Sequence, residues 1–139
     1  MRPGIDLTRT FPAPPERIYA AWTDGDQLAQ WFGLPDSTAE ATCDARVGGS
    51  WSLTMHSPQG QFGFSGAYSE VAPPSRLAFT LQAAGQDGVE TCTVDIAPHD
   101  DGSEMRFTQA GDNLTIEQYE QATAGWAVFF ERLDALTRG

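Results

Sequence analysis

A change in the spacing of apolar residues, from every second residue to every third or fourth, most constrains the fold of this 139-residue chain. The strand-like spacing begins at Ile5–Phe11 and dominates about seventy residues in the middle of the chain. After Gly111 the spacing becomes that of one amphipathic helix running to about Thr137. Thr115 and Gln118 form a predicted capping box at its start. Short turns between consecutive strands therefore predict an antiparallel meander that ends in a long helix.

Two short helices separate the first strand from this meander. Pro15 suits the first turn of a helix over residues 16–23, since its missing N–H costs nothing there. Asp26 is the predicted N-cap of a second helix over residues 27–31. The predicted order is βααββββββα in an α+β fold. Because one helix cannot cover both faces of a seven-stranded sheet, we expect the sheet to curve around the final helix and leave space between them.

The composition excludes several classes of partner. The 8 basic residues, all arginine, stand against 19 acidic ones, for a net charge of −11. Such a surface repels phosphate backbones and anionic lipid, so we expect no nucleic acid and no membrane partner. The lack of lysine excludes Schiff-base chemistry and a P-loop lysine. With 40% apolar residues the chain has enough side chain for a sizeable core, and we expect a single domain over residues 1–139.

The cysteines and histidines indicate no metal site and no cofactor. Cys43 and Cys92 fall on the first and fifth strands of the meander, too far apart for a disulfide, so we expect two free thiols. Neither cysteine clusters with His56 or His99 as zinc ligands would. The N-terminus shows no hydrophobic signal segment, and we expect a cytoplasmic protein.

Six stretches of the chain carry a family pattern. They are Phe11–Asp24, Trp31–Gly33, Asp44–Trp51, Gly66–Phe79, Gly125–Trp126 and Leu133. In this order they resemble the activator of heat-shock-protein ATPase homologue proteins, of the START-like (SRPBCC) superfamily. The resemblance implies the helix-grip fold, which agrees with the predicted order of elements. It also implies a cavity for an apolar small molecule, while a minority of the superfamily are cyclases, hydrolases or oxygenase subunits.

The strand rows that face the helix supply the candidate ligand-binding residues. Gly66 and Gly125 withhold side-chain volume where sheet and helix approach, which favours a pocket over a solid core. Arg9, in phase with the inward row of the first strand, is expected to pair with Glu131 or with an acidic ligand. Tyr68 and Tyr119 are candidate hydrogen-bonding groups in this apolar site. The candidate ligand-binding set is Arg9, Trp51, Met55, Phe64, Tyr68, Phe79, Cys92, Phe107, Tyr119, Trp126 and Phe130.

The sequence indicates no catalytic residues. His56 is out of phase with the inward row of its strand, and His99 lies beside a turn. Neither a nucleophile elbow nor a clear pair of inward carboxylates is present. The favoured hypothesis is binding of an apolar or aromatic small molecule without catalysis. The alternatives are a cyclase- or hydrolase-type enzyme in the same cavity, or a co-chaperone or other protein-interaction module, and a homodimer is compatible with each.

Overall fold

Seven antiparallel strands form one curved sheet around a C-terminal helix, in the predicted order and in the helix-grip fold. The computed structural model describes residues 4–33, 36–85, 87–111 and 113–138. The first three residues, part of the N-terminus in which we expect no signal segment, lie outside these ranges. The elements are β1 (Ile5–Phe11), α1 (Pro15–Thr23), α2 (Gly25–Trp31), β2 (Thr38–Cys43), β3 (Ser50–Ser57), β4 (Gly60–Ala72), β5 (Arg76–Ala83), β6 (Glu90–His99), β7 (Gly102–Ala110) and α3 (Ile116–Arg138).

The strand order in the sheet is β1-β7-β6-β5-β4-β3-β2. All strands from β2 to β7 pair with their neighbours in sequence, as short turns require. β1 pairs instead with β7, with Leu7 opposite Phe107, so the chain's first and last strands are adjacent. A register shift between Tyr68 and Glu70 interrupts the pairing of β4 with β5. Such irregularities bend a strand and increase its twist, which helps the sheet to curve around α3.

α3 begins with the predicted capping box. The Thr115 hydroxyl accepts from the Gln118 N–H at 3.1 Å, and the Gln118 side chain accepts from the Thr115 N–H at 2.8 Å. At the start of α2 the prediction of Asp26 as N-cap is wrong. The Asp24 carboxylate accepts from the Asp26 N–H instead, and the helix begins at Gly25. Both acids suit an N-cap, but Asp24 is extended, as a capping residue is.

The two short helices place three aromatic rings inside the curved sheet. Trp22 of α1 and Trp31 of α2 meet edge to face with their ring centroids 4.7 Å apart. Trp22 also stacks on Phe107 of β7 at 5.9 Å and on Trp126 of α3 at 6.1 Å. Phe32, directly after α2, completes the group and is buried like the two indoles. These rings therefore join sheet, short helices and α3 in one core.

Gly66 serves the sheet rather than a pocket, so the expectation that it leaves room for a ligand is wrong. Gly66 of β4 lies opposite Trp51 of β3. The Trp51 indole crosses it and donates from Nε1 to the carbonyl oxygen of Thr80 on β5, at 2.9 Å. A Cβ at Gly66 would lie 1.7 Å from that oxygen and 2.6 Å from Trp51 Nε1. The missing side chain is thus the space that this hydrogen bond occupies.

None of the helices within the four described ranges is long and apolar enough to cross a membrane.

We predict that Gly66→Ala lowers the free energy of unfolding by about 2 kcal/mol or more, because the new methyl group displaces the Trp51 indole from Thr80. The matched control is Gly63→Ala on the same strand, where the Cβ would lie 3.3 Å from the exposed Ala84 Cβ, which can yield. Urea unfolding of both variants measures the difference. Equal stabilities for the two would contradict the role given to Gly66.

Candidate functional site

A cavity of about 270 Å3 lies between the sheet and the N-terminal half of α3. β4 to β7 each contribute at least one side chain to its wall, and the segments before β6 and α3 complete it. Asn113, which lies in the wall, is exposed, so the cavity reaches the protein surface there. Gly125 of α3 also lines it, and a Cβ added at Gly125 would meet no atom within 4 Å. This glycine, unlike Gly66, does border open space.

One wall of the cavity is aromatic. Phe32 lies at its centre, with its ring centroid 5.5 Å from that of Phe64, 5.3 Å from Phe129 and 5.1 Å from Trp126. Phe32 follows α2 directly, and its backbone N–H donates to the Leu28 carbonyl at 2.9 Å, which fixes the residue at the helix end. A flat apolar group entering the cavity would therefore meet rings from a loop, a strand and a helix.

A chain of polar groups begins at Trp126 and continues along the cavity wall. Trp126 Nε1 donates to Gln109 Oε1 at 3.0 Å, and Gln109 Nε2 donates to Glu90 Oε1 at 3.2 Å. Glu90 Oε2 accepts from Asn113 Nδ2 at 2.6 Å, and Asn113 Nδ2 also donates to the Val89 carbonyl at 2.8 Å. Glu90 and Gln109 are each only 4% exposed. A buried carboxylate thus faces a cavity whose other polar side chains are the neutral amides of Gln109 and Asn113.

The candidate set does not include Glu90 and Gln109, although the sequence contains a signal for both. Glu90 continues the inward row of Cys92 and Val94, and Gln109 continues that of Phe107. A polar residue in phase with a buried row is expected to be buried and hydrogen-bonded. Phe32 offers no such signal, since it follows a helix whose packing cannot be read from its spacing.

Only two members of the candidate set line this cavity, Phe64 and Trp126. Trp51, Tyr68 and Phe79 instead surround a separate interior void of about 10 Å3, which is about the size of one water molecule. The remaining members of the set lie outside both linings. They are Arg9, Met55, Cys92, Phe107, Tyr119 and Phe130.

Phe107 shows why the space does not extend along the whole of α3. Its ring centroid lies 4.4 Å from that of Trp126 and 5.5 Å from that of Phe130. Together with Trp22 these rings fill the region that faces the middle of α3. The cavity therefore lies along the N-terminal half of α3, where Phe64, Gln109 and Gly125 line it.

Arg9 pairs with Asp134 of α3 rather than with Glu131. Its guanidinium lies 3.6 Å from the Asp134 carboxylate, which also accepts from Arg138 at 2.7 Å. Asp134 is buried among the core-facing residues of α3, whereas Glu131 is exposed. The expectation of a Glu131 partner is therefore wrong, and Arg9 is held by the fold.

Both cysteines are free, as expected, and neither is arranged as a nucleophile. Burial raises the pKa of the Cys92 thiol, with a smaller contribution from the nearby Glu90 carboxylate. Burial is also the largest cause of the raised pKa of Cys43, and outweighs the hydrogen bond that Tyr68 donates to it. His56 and His99 lie on the surface beside Glu40 and Asp100. Nowhere in the described part of the chain do three His, Cys, Asp or Glu side chains come together as metal ligands would.

Comparison with known proteins places the chain among solved relatives of the same fold. The sequence pattern of the family described as Activator of Hsp90 ATPase homolog 1-like protein matches residues 12–138. A crystal structure from Chromobacterium violaceum is 30% identical, with a TM-score of 0.89 over 98% of this chain and 97% of that one. A crystal structure from Mycobacterium smegmatis is 23% identical, with a TM-score of 0.84 over 96% and 89%. A search among curated proteins found no match.

We predict that the two thiols react with Ellman's reagent at very different rates at pH 8. Cys43, half-buried and with a raised pKa, should react more slowly than free cysteine. Cys92, which is fully buried, should react only after unfolding in urea. A Cys43→Ser variant isolates the second thiol and should show no reaction while folded. Rapid reaction of Cys92 in the folded protein would contradict its place in the core.

Proposed function

The chain belongs to the Activator of Hsp90 ATPase homolog 1-like family, and we propose that it binds a small molecule with an apolar, flat body in the cavity beside α3. The observation that carries this proposal is the aromatic wall formed by Phe32, Phe64, Trp126 and Phe129 around open space. A volume of about 270 Å3 suits a ligand of one or two fused rings, near the lower end of the usual range for such sites.

Burial of apolar surface supplies the driving force for this binding. Each Å2 of apolar surface that a ligand removes from water contributes about 25 cal/mol. Gly125 matters because its missing side chain leaves the helix backbone open to the cavity. A glycine within a helix lowers stability by roughly 1 kcal/mol relative to alanine. At position 125 this loss leaves the space that the ligand would occupy.

The chemistry of the wall favours binding over catalysis. Glu90 is the one ionisable side chain among the described residues that line the cavity. General acid–base work needs a second proton-transfer group, and covalent catalysis needs an activated nucleophile, which this lining does not supply. Both oxygens of Glu90 are already held by amide donors, which suits a fixed binding group better than one that exchanges protons.

We predict that Gly125→Leu strongly weakens binding of a neutral apolar probe, because the new side chain fills the cavity. Isothermal titration calorimetry with 2-naphthylmethanol should show an affinity at least about tenfold lower than in the unchanged protein. The free energy of unfolding should not fall, since a Cβ at this position meets open space and leucine favours a helix.

Ala124→Leu is the matched control, since Ala124 is the exposed neighbour of Gly125 on α3. It should leave the affinity for 2-naphthylmethanol unchanged. Binding that survives Gly125→Leu, or a Gly125→Leu variant destabilised by about 1–3 kcal/mol through overpacking, would contradict the proposed site.

A further inference from the structure

We propose that the ligand of this cavity carries a cationic amine, and that the Glu90 carboxylate is its counter-charge. This inference rests on the proposed function and specifies the chemical class of the ligand. Its basis is that a carboxylate only 4% exposed faces the cavity and is surrounded by neutral donors that hold it ready for a cation.

The hydrogen-bond network fixes the direction in which each amide near Glu90 points. An indole N–H can only donate, so the Trp126 indole requires the oxygen of the Gln109 amide to face it. The NH2 group of Gln109 must then face Glu90. The Val89 carbonyl can only accept, and it orients the NH2 group of Asn113 in the same way. Both amides therefore present donors to Glu90, which is the arrangement that stabilises a negatively charged carboxylate.

No cationic side chain pairs with Glu90 in residues 4–33, 36–85, 87–111 and 113–138. The arginines and histidines of these ranges have other partners, and the sequence has no lysine. The ion pairs are Arg9–Asp134, Arg46–Asp44, Arg76–Glu70, Arg76–Asp95, Arg106–Asp6, Arg138–Asp134, His56–Glu40 and His99–Asp100. Arg17 and Arg132 donate to the carbonyl oxygens of Leu136 and Gly33.

A buried carboxylate without a cation is costly, and a ligand can remove that cost. Two neutral hydrogen bonds compensate only part of the lost hydration of a charge. Each oxygen of Glu90 accepts one hydrogen bond, which leaves lone pairs for further donors. A protonated amine offers up to three N–H donors and a full positive charge in this low-dielectric space. The protein's net charge of −11 also attracts such a ligand from solution.

The aromatic wall and Glu90 together define the ligand's shape. The wall formed by Phe32, Phe64 and Phe129 suits a flat apolar body, while Glu90 lies on the polar side of the same cavity. A molecule that satisfies both has an aromatic ring system joined to an amine by a short linker. An anionic ligand of the same size would place two like charges together in a buried site, which is strongly unfavourable.

Three probes of nearly equal size and different charge test the inference. They are 2-naphthylmethylamine, which is cationic at pH 7, the neutral 2-naphthylmethanol, and the anionic 2-naphthoic acid. Calorimetric titration of the unchanged protein should give affinities in the order amine, alcohol, acid, with the amine at least about tenfold tighter than the alcohol. This ordering needs no variant, so it holds whether or not a substitution at Glu90 is tolerated.

Glu90→Gln then removes the charge while it keeps the size of the side chain. The amine and the alcohol should bind this variant with affinities within about threefold of each other, while the alcohol binds as before. Glu117→Gln on the exposed first turn of α3 is the control for overall charge and should keep the preference for the amine.

The outcomes separate this inference from the proposed function. Equal binding of amine and alcohol to the unchanged protein, or a preference for the amine that persists in Glu90→Gln, would overturn the inference and leave the cavity's function intact. Absence of binding by all three probes would overturn both. A preference for the acid would show that Glu90 is not a counter-charge and would also overturn the inference.

Discussion

The packing of Trp22 against Phe107, Trp126 and Phe130 is the interaction on which the interior depends. A single helix of 23 residues cannot fill a curved sheet of seven strands, so other side chains must occupy the remaining space. The short helices supply Trp22 and Trp31 at one end, and these close that end to solvent. Along its N-terminal half α3 lies over the sheet without such filling, and the cavity remains between them. The position of the cavity thus follows from where the aromatic filling stops.

Trp126 joins the two regions. One side of its indole packs on Phe107 within the filled core, while the residue also lines the cavity. Its N–H sets the orientation of Gln109 and, through Gln109, one of the two donors to Glu90. The Val89 carbonyl orients the other donor, Asn113, in the same way. Together these two contacts explain why the polar groups hold one arrangement without a charged partner in the described chain.

The sequence predicts the architecture well because periodicity reports which face of an element is buried. It predicts the order of elements, the capping box at Thr115 and the inward rows of the strands. Periodicity does not report depth along the axis of α3, so it cannot tell whether an inward residue borders filled core, as Phe107 does, or open space, as Phe64 does. The spacing of α3 also contained a clue to the partner of Arg9. Asp134 lies four residues after Phe130 and therefore on the same buried stripe, whereas Glu131 lies off that stripe.

Glycines illustrate the same limit, because Gly66 and Gly125 carry the same signal in the sequence and have opposite surroundings. Gly66 makes room for an indole and Gly125 borders the cavity.

The most direct test of the cavity is a spectrum that reports on each indole separately. In 15N-labelled protein titrated with 2-naphthylmethanol, the indole N–H resonance of Trp126 should move saturably while that of Trp31, buried outside the cavity, should not. Movement of the Trp51 resonance with Trp126 unchanged would place the ligand elsewhere and contradict this account.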